Sequence, residues 1–435
     1  MAMEQRDCII LADSNDNCNL QEEQMKDSKP YEISKLVVLE AFKKVKQNKG
    51  SAGIDEVDIE NFQRDLKGNL YKIWNRMSSG SYFPPPVKAV EIPKKSGGTR
   101  RLGIPTISDR IAQMVVKMYL EPNIEPIFHN DSYGYRPNKS ALDAIGKARQ
   151  RCWKYDYVIE FDIRGLFDNI DHELLMKAVK LHTKEPWILI YIERWLKAPF
   201  IVGNERIERT SGTPQGGVIS PILANLFMHY TFDVWLTRNY KDAPFERYAD
   251  DAIIHCKNED AALEILRALN TRLTDCKLEL HPQKTKIVYC KDKDRKLEYP
   301  NTEFDFLGYT FRRIFIKDRT GRLQFNFLPQ VSRKSAKSFR DKIKEKNIHA
   351  MSGSKIEMVA EILNPMIRGW LNYFSKYNKA AVKYTMDCIN RRLVKWAMSK
   401  YKHFRSHRSN AEKWLREIAK REPNMFPHWA VGFEP

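Results

Sequence analysis

Apolar residues recur at three- and four-residue intervals between residues 31 and 48 (Leu36, Leu39, Phe42, Val45) and stop at Asn48-Lys49-Gly50, which predicts a helix. A second helical run covers 58–78, and Pro84-Pro85-Pro86 breaks the pattern. The period then shortens. Val90 to Lys94 and Thr99 to Ile104 read as strands on either side of Lys95-Ser96-Gly97-Gly98, a turn signal. Residues 107–120 and 140–152 read as helices and 155–163 as a strand. Ser220-Pro221 marks a helix start, with Ser220 as N-cap and Pro221 in the first helical position. Residues 245–255 read as a hairpin, 259–275 as a helix and 303–313 as a strand pair. Beyond about residue 330 the pattern is helical only: Arg333 to Lys346, Ile356 to Tyr377 and Ala380 to Tyr401. Residues 1–29 carry little periodicity and predict a flexible tail. The expected class is therefore α+β over 30–315, followed by an all-α region over 330–430, with a boundary near 315–332.

Charge narrows the partners. The chain of 435 residues carries a formal net charge of +19, and aromatic residues sit among the basic ones. A protein this basic usually meets a polyanion, because each Lys or Arg that neutralises a phosphate releases a counterion. No apolar run is long enough to cross a membrane, and no secretory leader is visible, which predicts a cytoplasmic protein without membrane contact. The seven cysteines are scattered singly and are expected to be reduced thiols rather than a disulfide framework or a zinc site.

Two acidic positions interrupt apolar strands: Asp162 in Phe161-Asp162-Ile163, and Asp250-Asp251 after Tyr248-Ala249. An Asp-Asp pair alone is often only a hairpin turn. Here strand residues flank it on both sides (Phe245, Tyr248, Ile253, Ile254). Carboxylates grouped in an apolar setting need compensating cations, so the pattern favours metal binding. Nucleotidyl transfer with two divalent ions would use such a group, and Mg²⁺ suits it because Mg²⁺ takes oxygen ligands and keeps phosphate and water in its shell.

These residues resemble the reverse transcriptases, and specifically the group II intron-encoded proteins of bacterial type. Tyr248-Ala249-Asp250-Asp251 is similar to that family's catalytic box, Phe161 to Asp168 to its first catalytic block, and Ser211-Gly212-Thr213-Pro214-Gln215-Gly216-Gly217 to its Pro-Gln-Gly block. Phe306-Leu307-Gly308-Tyr309 resembles the primer-gripping segment, and Asn48 to Asp55 an N-terminal extension block. The resemblance implies a right-hand polymerase: fingers and a palm with an antiparallel catalytic sheet, then a helical thumb or maturase domain. It implies RNA-templated addition of dNTPs to a DNA primer with two Mg²⁺ ions, Mn²⁺ being able to substitute. Asp162, Asp250 and Asp251 would be catalytic, and with Ile163 would hold the metals. Lys94, Arg100, Arg164, Gly165, Leu166, Phe167 and Gln215 would bind the dNTP, with Phe167 excluding a 2′-hydroxyl. Gly216, Gly217, Lys284, Leu307, Gly308 and Tyr309 would contact template and primer, Lys284 also supporting the site electrostatically.

Residues 391–421 hold eleven Lys or Arg against two Glu, with Trp396, Tyr401, Phe404 and Trp414 interleaved. The aromatics, like Trp370, Tyr373 and Phe374 before them, are expected mostly in a helical core. The basic residues face outward toward RNA. The region resembles the maturase domain, which implies Arg368, Arg391, Arg392, Lys395, Lys402, Arg405 and Arg408 as contacts to a structured intron RNA, with a DNA target as a further partner. No segment similar to the family's His-Asn-His endonuclease follows, so second-strand DNA cleavage is not expected. Two other readings stay open: a maturase active only in splicing, and a domesticated reverse transcriptase in phage defence.

Overall fold

The predicted first helix runs from Lys35 to Gln47, its amino end capped by the Ser34 hydroxyl, which accepts from the Leu36 amide. Its buried side is Val38, Ala41, Phe42 and Val45, while Leu36 is exposed. The computed structural model describes residues 29–93, 99–317 and 321–435, with Arg100 and Lys317 described in their backbone alone. The tail expected at 1–29, but for its last residue, and the fingertip residues Lys94 and Lys95 lie outside the described residues. Eleven strands occur among those described: β1 Val87–Pro93, β2 Thr99–Ile104, β3 Tyr157–Asp162, β4 Phe200–Val202, β5 Glu205–Ile207, β6 Phe245–Tyr248, β7 Asp251–Cys256, β8 Lys286–Tyr289, β9 Glu303–Phe306, β10 Tyr309–Lys317 and β11 Leu323–Val331.

The chain forms two compact units, each built from separated stretches. The first takes residues up to Asn130, then Arg164–Trp235 and Thr271–Glu279. It contains the sheet ordered β2-β1-β4-β5, in which β1 runs antiparallel to β2 and parallel to β4. Its anchor is Asp109, on the Ile107–Ile124 helix, which accepts from Tyr82 Oη (3.0 Å), Trp195 Nε1 (2.7 Å) and Gln113 Nε2 (2.9 Å). Burial nevertheless pushes the Asp109 carboxyl up to about 6.

The second unit takes Asp131–Ile163, Leu236–Asn270 and Leu280–Pro435. Its main sheet is ordered β6-β7-β3-β8, wholly antiparallel, with β3 and β7 in the interior. A second antiparallel sheet, β11-β10-β9, shares a core with it: Val158, Ile253 and Val288 join Phe304, Phe306, Phe311 and Phe327. Helices Arg333–Glu345, Ile356–Phe374, Lys383–Lys400 and Arg408–Arg421 then close around Leu363, Ile367, Trp396 and Trp429.

Two expectations are corrected, and two sets of strands went unpredicted. The run at 58–78 is two helices, Ile59–Arg64 and Leu66–Ser78, because Asp65 leaves helical geometry and caps the second by accepting from the Gly68 amide. Ser220 is the first helical residue rather than the N-cap; Ile219 holds that place, and the Ser220 hydroxyl is bonded to Thr213 Oγ1 at 2.7 Å. The β4–β5 hairpin went unpredicted. Residues 315–332, where a boundary is expected, hold the end of β10 and all of β11, and the helices that follow fall in the same compact unit as the main sheet.

The five described cysteines are free, four of them buried. No helix among the described residues is long and apolar enough to cross a membrane.

Candidate active site

β6 and β7 pair as far as Tyr248↔Asp251, so Ala249-Asp250 is a two-residue turn. Asp251 in turn lies opposite Asp162, the last residue of β3. Directly opposed residues of an antiparallel pair project from the same face, so strand register alone brings these two carboxylates together, with Asp250 beside them in the turn. Burial holds the Asp251 carboxyl up, to about 7; a 3.4 Å hydrogen bond from the Leu307 amide opposes this, and the charges of Asp250, Glu160 and Asp162 add to it. Lys284 forms an ion pair with Asp162 Oδ2. The segment carrying it is tied to the strand end, since His281 N donates to the Asp162 carbonyl (2.8 Å) and Lys284 N to the His281 carbonyl (3.1 Å). Ile163 continues the strand through a bridge to Leu280.

The turn has a support that the sequence motifs did not point to. Ala249 has φ 60°, a left-handed conformation costly for a residue with a Cβ. Arg247, fully buried, donates from Nη1 to the Ala249 carbonyl at 3.2 Å. Residues 131–133 run along β6, with Arg247 N donating to the Asp131 carbonyl (2.9 Å) and Tyr133 N to the Arg247 carbonyl (2.8 Å). Gly134 then packs so closely that a Cβ there would lie 2.5 Å from Ala249 N. Behind the hairpin, Arg151 bridges Asp131 and Glu246, each at 2.6 Å, and Glu246 also meets His255 at 2.6 Å. The signal available in the sequence was the charged pair Glu246-Arg247 inside a predicted strand, because charges buried there need partners.

Leu307 (φ 50°) and Gly308 (φ 82°) form the two-residue turn between β9 and β10, where both positions demand positive φ. The Ile356–Phe374 helix reaches this turn: Tyr373 Oη donates to the Leu307 carbonyl at 2.9 Å, and Tyr309 Oη to the Tyr373 carbonyl. The rings of Tyr373, Phe374 and Tyr377 lie 5.6, 5.2 and 6.0 Å from that of Tyr309. Trp370 belongs to the helical core as expected, but Tyr373 and Tyr377 pack toward the strands instead.

In the first unit, Arg164 is ion-paired to Glu279 at 3.2 Å on the surface. Gly165 (φ 58°) begins the short Leu166–Asn169 helix, in which Leu166 and Phe167 are buried. The Pro-Gln-Gly segment is stitched to it: Thr213 N donates to the Phe167 carbonyl (2.7 Å) and Gly212 N to the Ile170 carbonyl (2.8 Å). Beyond, Gly103 N donates to the Gln215 carbonyl (2.7 Å), and Gly216 is at φ 114° with the Gly103 carbonyl where a Cβ would fall. Gly217 abuts the Ser220 hydroxyl. The Arg100 backbone lies on β2 opposite Ile92. Of the basic residues in the C-terminal helices, Arg368, Arg391, Lys395, Lys402, Arg405 and Arg408 are exposed and Arg392 is half-buried; Arg408 is paired with Glu412 at 2.7 Å.

Asp162, Asp250 and Asp251 offer oxygen donors, which suits a hard divalent cation. Among the described residues, no three acidic, His or Cys side chains are already arranged as a cage. The crowded carboxylates and the Lys284 ion pair mark a place where positive charge is needed.

Residues 92–311 match the family described as reverse transcriptase (RNA-dependent DNA polymerase), and residues 336–414 the group II intron maturase-specific domain. The chain is 35% identical over 192 residues to the group II intron-encoded protein LtrA of Lactococcus lactis subsp. cremoris, covering 43% of this chain but only 32% of LtrA. It is 34% identical over 284 residues to protein YkfC of Escherichia coli (strain K12), covering 55% of this chain and 73% of YkfC. It is 26% identical over 279 residues to an uncharacterized 91 kDa protein in the cob intron of Schizosaccharomyces pombe, covering 61% of this chain and 34% of that protein. The match over half the chain, running from the first sheet through the aspartate hairpin to β10, establishes that the chain belongs to the reverse transcriptase (RNA-dependent DNA polymerase) family, whose members work with divalent metal ions, and to the branch that carries the group II intron maturase domain.

Proposed function

We propose that this protein elongates a DNA primer with dNTPs on an RNA template, and that it also binds and helps splice a structured group II intron RNA that it serves in mobility at a DNA target. The observation that carries the polymerase reading is the strand register that sets Asp162 opposite Asp251, with Asp250 in the adjoining turn. Two Mg²⁺ ions, with Mn²⁺ able to substitute, would supply activation of the primer 3′-hydroxyl and neutralise charge on the triphosphate. Asp162 and Asp250, with the Ile163 carbonyl, are the proposed direct ligands, and Asp251 the supporting carboxylate. Lys284 holds Asp162 in place through its ion pair.

The proposed dNTP contacts are Lys94, Arg100, Arg164, Gly165, Leu166 and Gln215, with Phe167 as the barrier to a 2′-hydroxyl. Gly216, Gly217, Leu307, Gly308 and Tyr309 are proposed to follow template and primer, close approach being possible because two of the glycines carry no side chain where positive φ is required. The layout would be that of a right hand: fingers and palm over about 30–315, and a thumb in the helices from about 330 to 430. Exposed Arg368, Arg391, Lys395, Lys402, Arg405 and Arg408, with half-buried Arg392, support the intron RNA contact. The working place would be the cytoplasm, on a ribonucleoprotein.

Primer extension on an RNA template with Mg²⁺ tests the polymerase reading. Wild type should extend with dNTPs and not rNTPs, and Asp250→Ala should abolish extension. An inactive wild type that still binds RNA would overturn it in favour of a splicing-only maturase. Intron splicing by Asp250→Ala at the wild-type rate is expected if RNA binding is separate from catalysis.

A further inference from the structure

The β10–β11 hairpin outruns its third strand. β9 pairs only with Tyr309–Arg312, which leaves Arg313–Lys317 and Leu323–Phe327 as a two-stranded ribbon. Phe311, Arg313 and Phe315 alternate onto one face, opposite Pro329, Phe327 and Phe325. At its base this face is core: Phe311 and Phe327 are completely buried. At its far end the same face is open, with Phe315 55% and Phe325 38% exposed and Leu323 beside them 55% exposed. The two Phe rings lie side by side at 4.8 Å, and the Arg313 guanidinium sits 3.7 Å over Phe325. Among the described residues, nothing fully covers this end of the face.

The sequence around it is strongly cationic. Arg312, Arg313, Lys317, Arg319 and Arg322 accompany one acid, Asp318, and β11 contains no acid. Glu298, whose charge reaches Arg313, is itself paired with Lys291 at 2.5 Å. Two adjacent aromatic rings with the Arg313 guanidinium over one of them are the parts of a base-stacking platform: the rings accept bases of any identity, and the cation favours the phosphates. We propose that Phe315, Phe325 and Arg313 form a binding site for unpaired nucleotides of RNA. From the Leu307-Gly308 turn to Phe315 the strand spans about 20 Å, so the site would take nucleotides several positions away from those at that turn. That spacing rests on the proposed primer and template contacts at the turn, whereas the stacking site itself does not.

The test uses the full chain and fluorescence anisotropy with an unstructured, end-labelled RNA oligonucleotide. An RNA duplex of equal length and the matching single-stranded DNA serve as comparison arms. Phe315 and Phe325 are exposed, so the Phe315→Ala/Phe325→Ala variant should keep the wild-type melting temperature. Its Kd for the single strand should rise about ten- to a hundred-fold, with the duplex Kd changed less than about two-fold. Restoration of single-strand affinity in Phe315→Trp/Phe325→Trp is expected. An equal loss for DNA and RNA would leave the stacking site standing and assign it to single strands generally. Unchanged single-strand affinity, or equal loss for single strand and duplex, would overturn the proposal. Unchanged affinity with an altered sedimentation coefficient would overturn it too and give the patch to a second copy of the chain. Retained primer extension when binding falls, or the reverse, keeps this site and the polymerase reading separable.

Discussion

Ala249 occupies a left-handed backbone position directly before Asp250, and its neighbours leave it little freedom: Arg247 grips its carbonyl and Gly134 lies against its amide. A methyl group at Gly134 must move the turn, and with it Asp250. Gly134→Ala is therefore expected to lower kcat in primer extension roughly a hundred-fold, since displacements near 1 Å cost about that much. The KM for dNTP should change little, and more metal should be needed for half-maximal rate; an unaltered kcat would show that the turn is set by other contacts. The three aspartates were legible in the sequence because carboxylates inside apolar strands demand a reason. Gly134 was not, because close packing of one backbone against another leaves no mark in composition. Arg247 was partly legible, as a charge in a buried strand whose partner only the fold could supply.

The helix from Ile356 to Phe374 is tied to the β9–β10 turn by the bond from Tyr373 to the Leu307 carbonyl. Tyr373→Phe keeps the ring and removes this bond, so it should destabilise the second unit by about 1 kcal/mol in urea unfolding. It should also raise the KM for primer–template more than it lowers kcat. The C-terminal segment is tied by a different device. His428 is fully buried, with Nε2 against Asn390 Oδ1 at 2.8 Å, and Trp429 Nε1 donates to the same oxygen at 2.9 Å. Burial lowers the His428 pKa to about 3. A depressed histidine is neutral when folded and binds a proton on unfolding. Its contribution is thus complete above its unfolded value of 6.5 and is lost as pH falls toward 3, at about 1.4 kcal/mol per pH unit. Wild type should lose stability between pH 6.5 and 4.5 more steeply than His428→Gln, as read by urea midpoints; parallel slopes would refute this. Most helices could be read from apolar spacing. Short strands such as Phe200–Val202 are too brief to show a period. β11 did carry one, in Leu323-Gln324-Phe325-Asn326-Phe327, but it falls in the stretch where a boundary is expected.

Across the whole molecule the excess of positive charge predicts how binding responds to salt. Affinity for RNA should fall linearly on a log–log plot, and Arg391→Ala or Lys395→Ala should each reduce the slope by about one without changing sequence preference. A slope unaltered by both would remove this helix from the contact surface. The division into two units was not legible at all, because the backbone leaves one for the other after Asn130, Ile163, Trp235, Asn270 and Glu279. Local pattern reports elements, whereas this interleaving depends on contacts far apart in sequence. It has a temporal consequence. The ribosome releases Asp162 first, then Asp250 and Asp251, then Lys284, and only much later Tyr373. A strand that must wait for such distant partners cannot mature while the chain is being made. The aspartate hairpin therefore acquires its full set of contacts only after Tyr373 has been made, when most of the helix that carries it has also emerged.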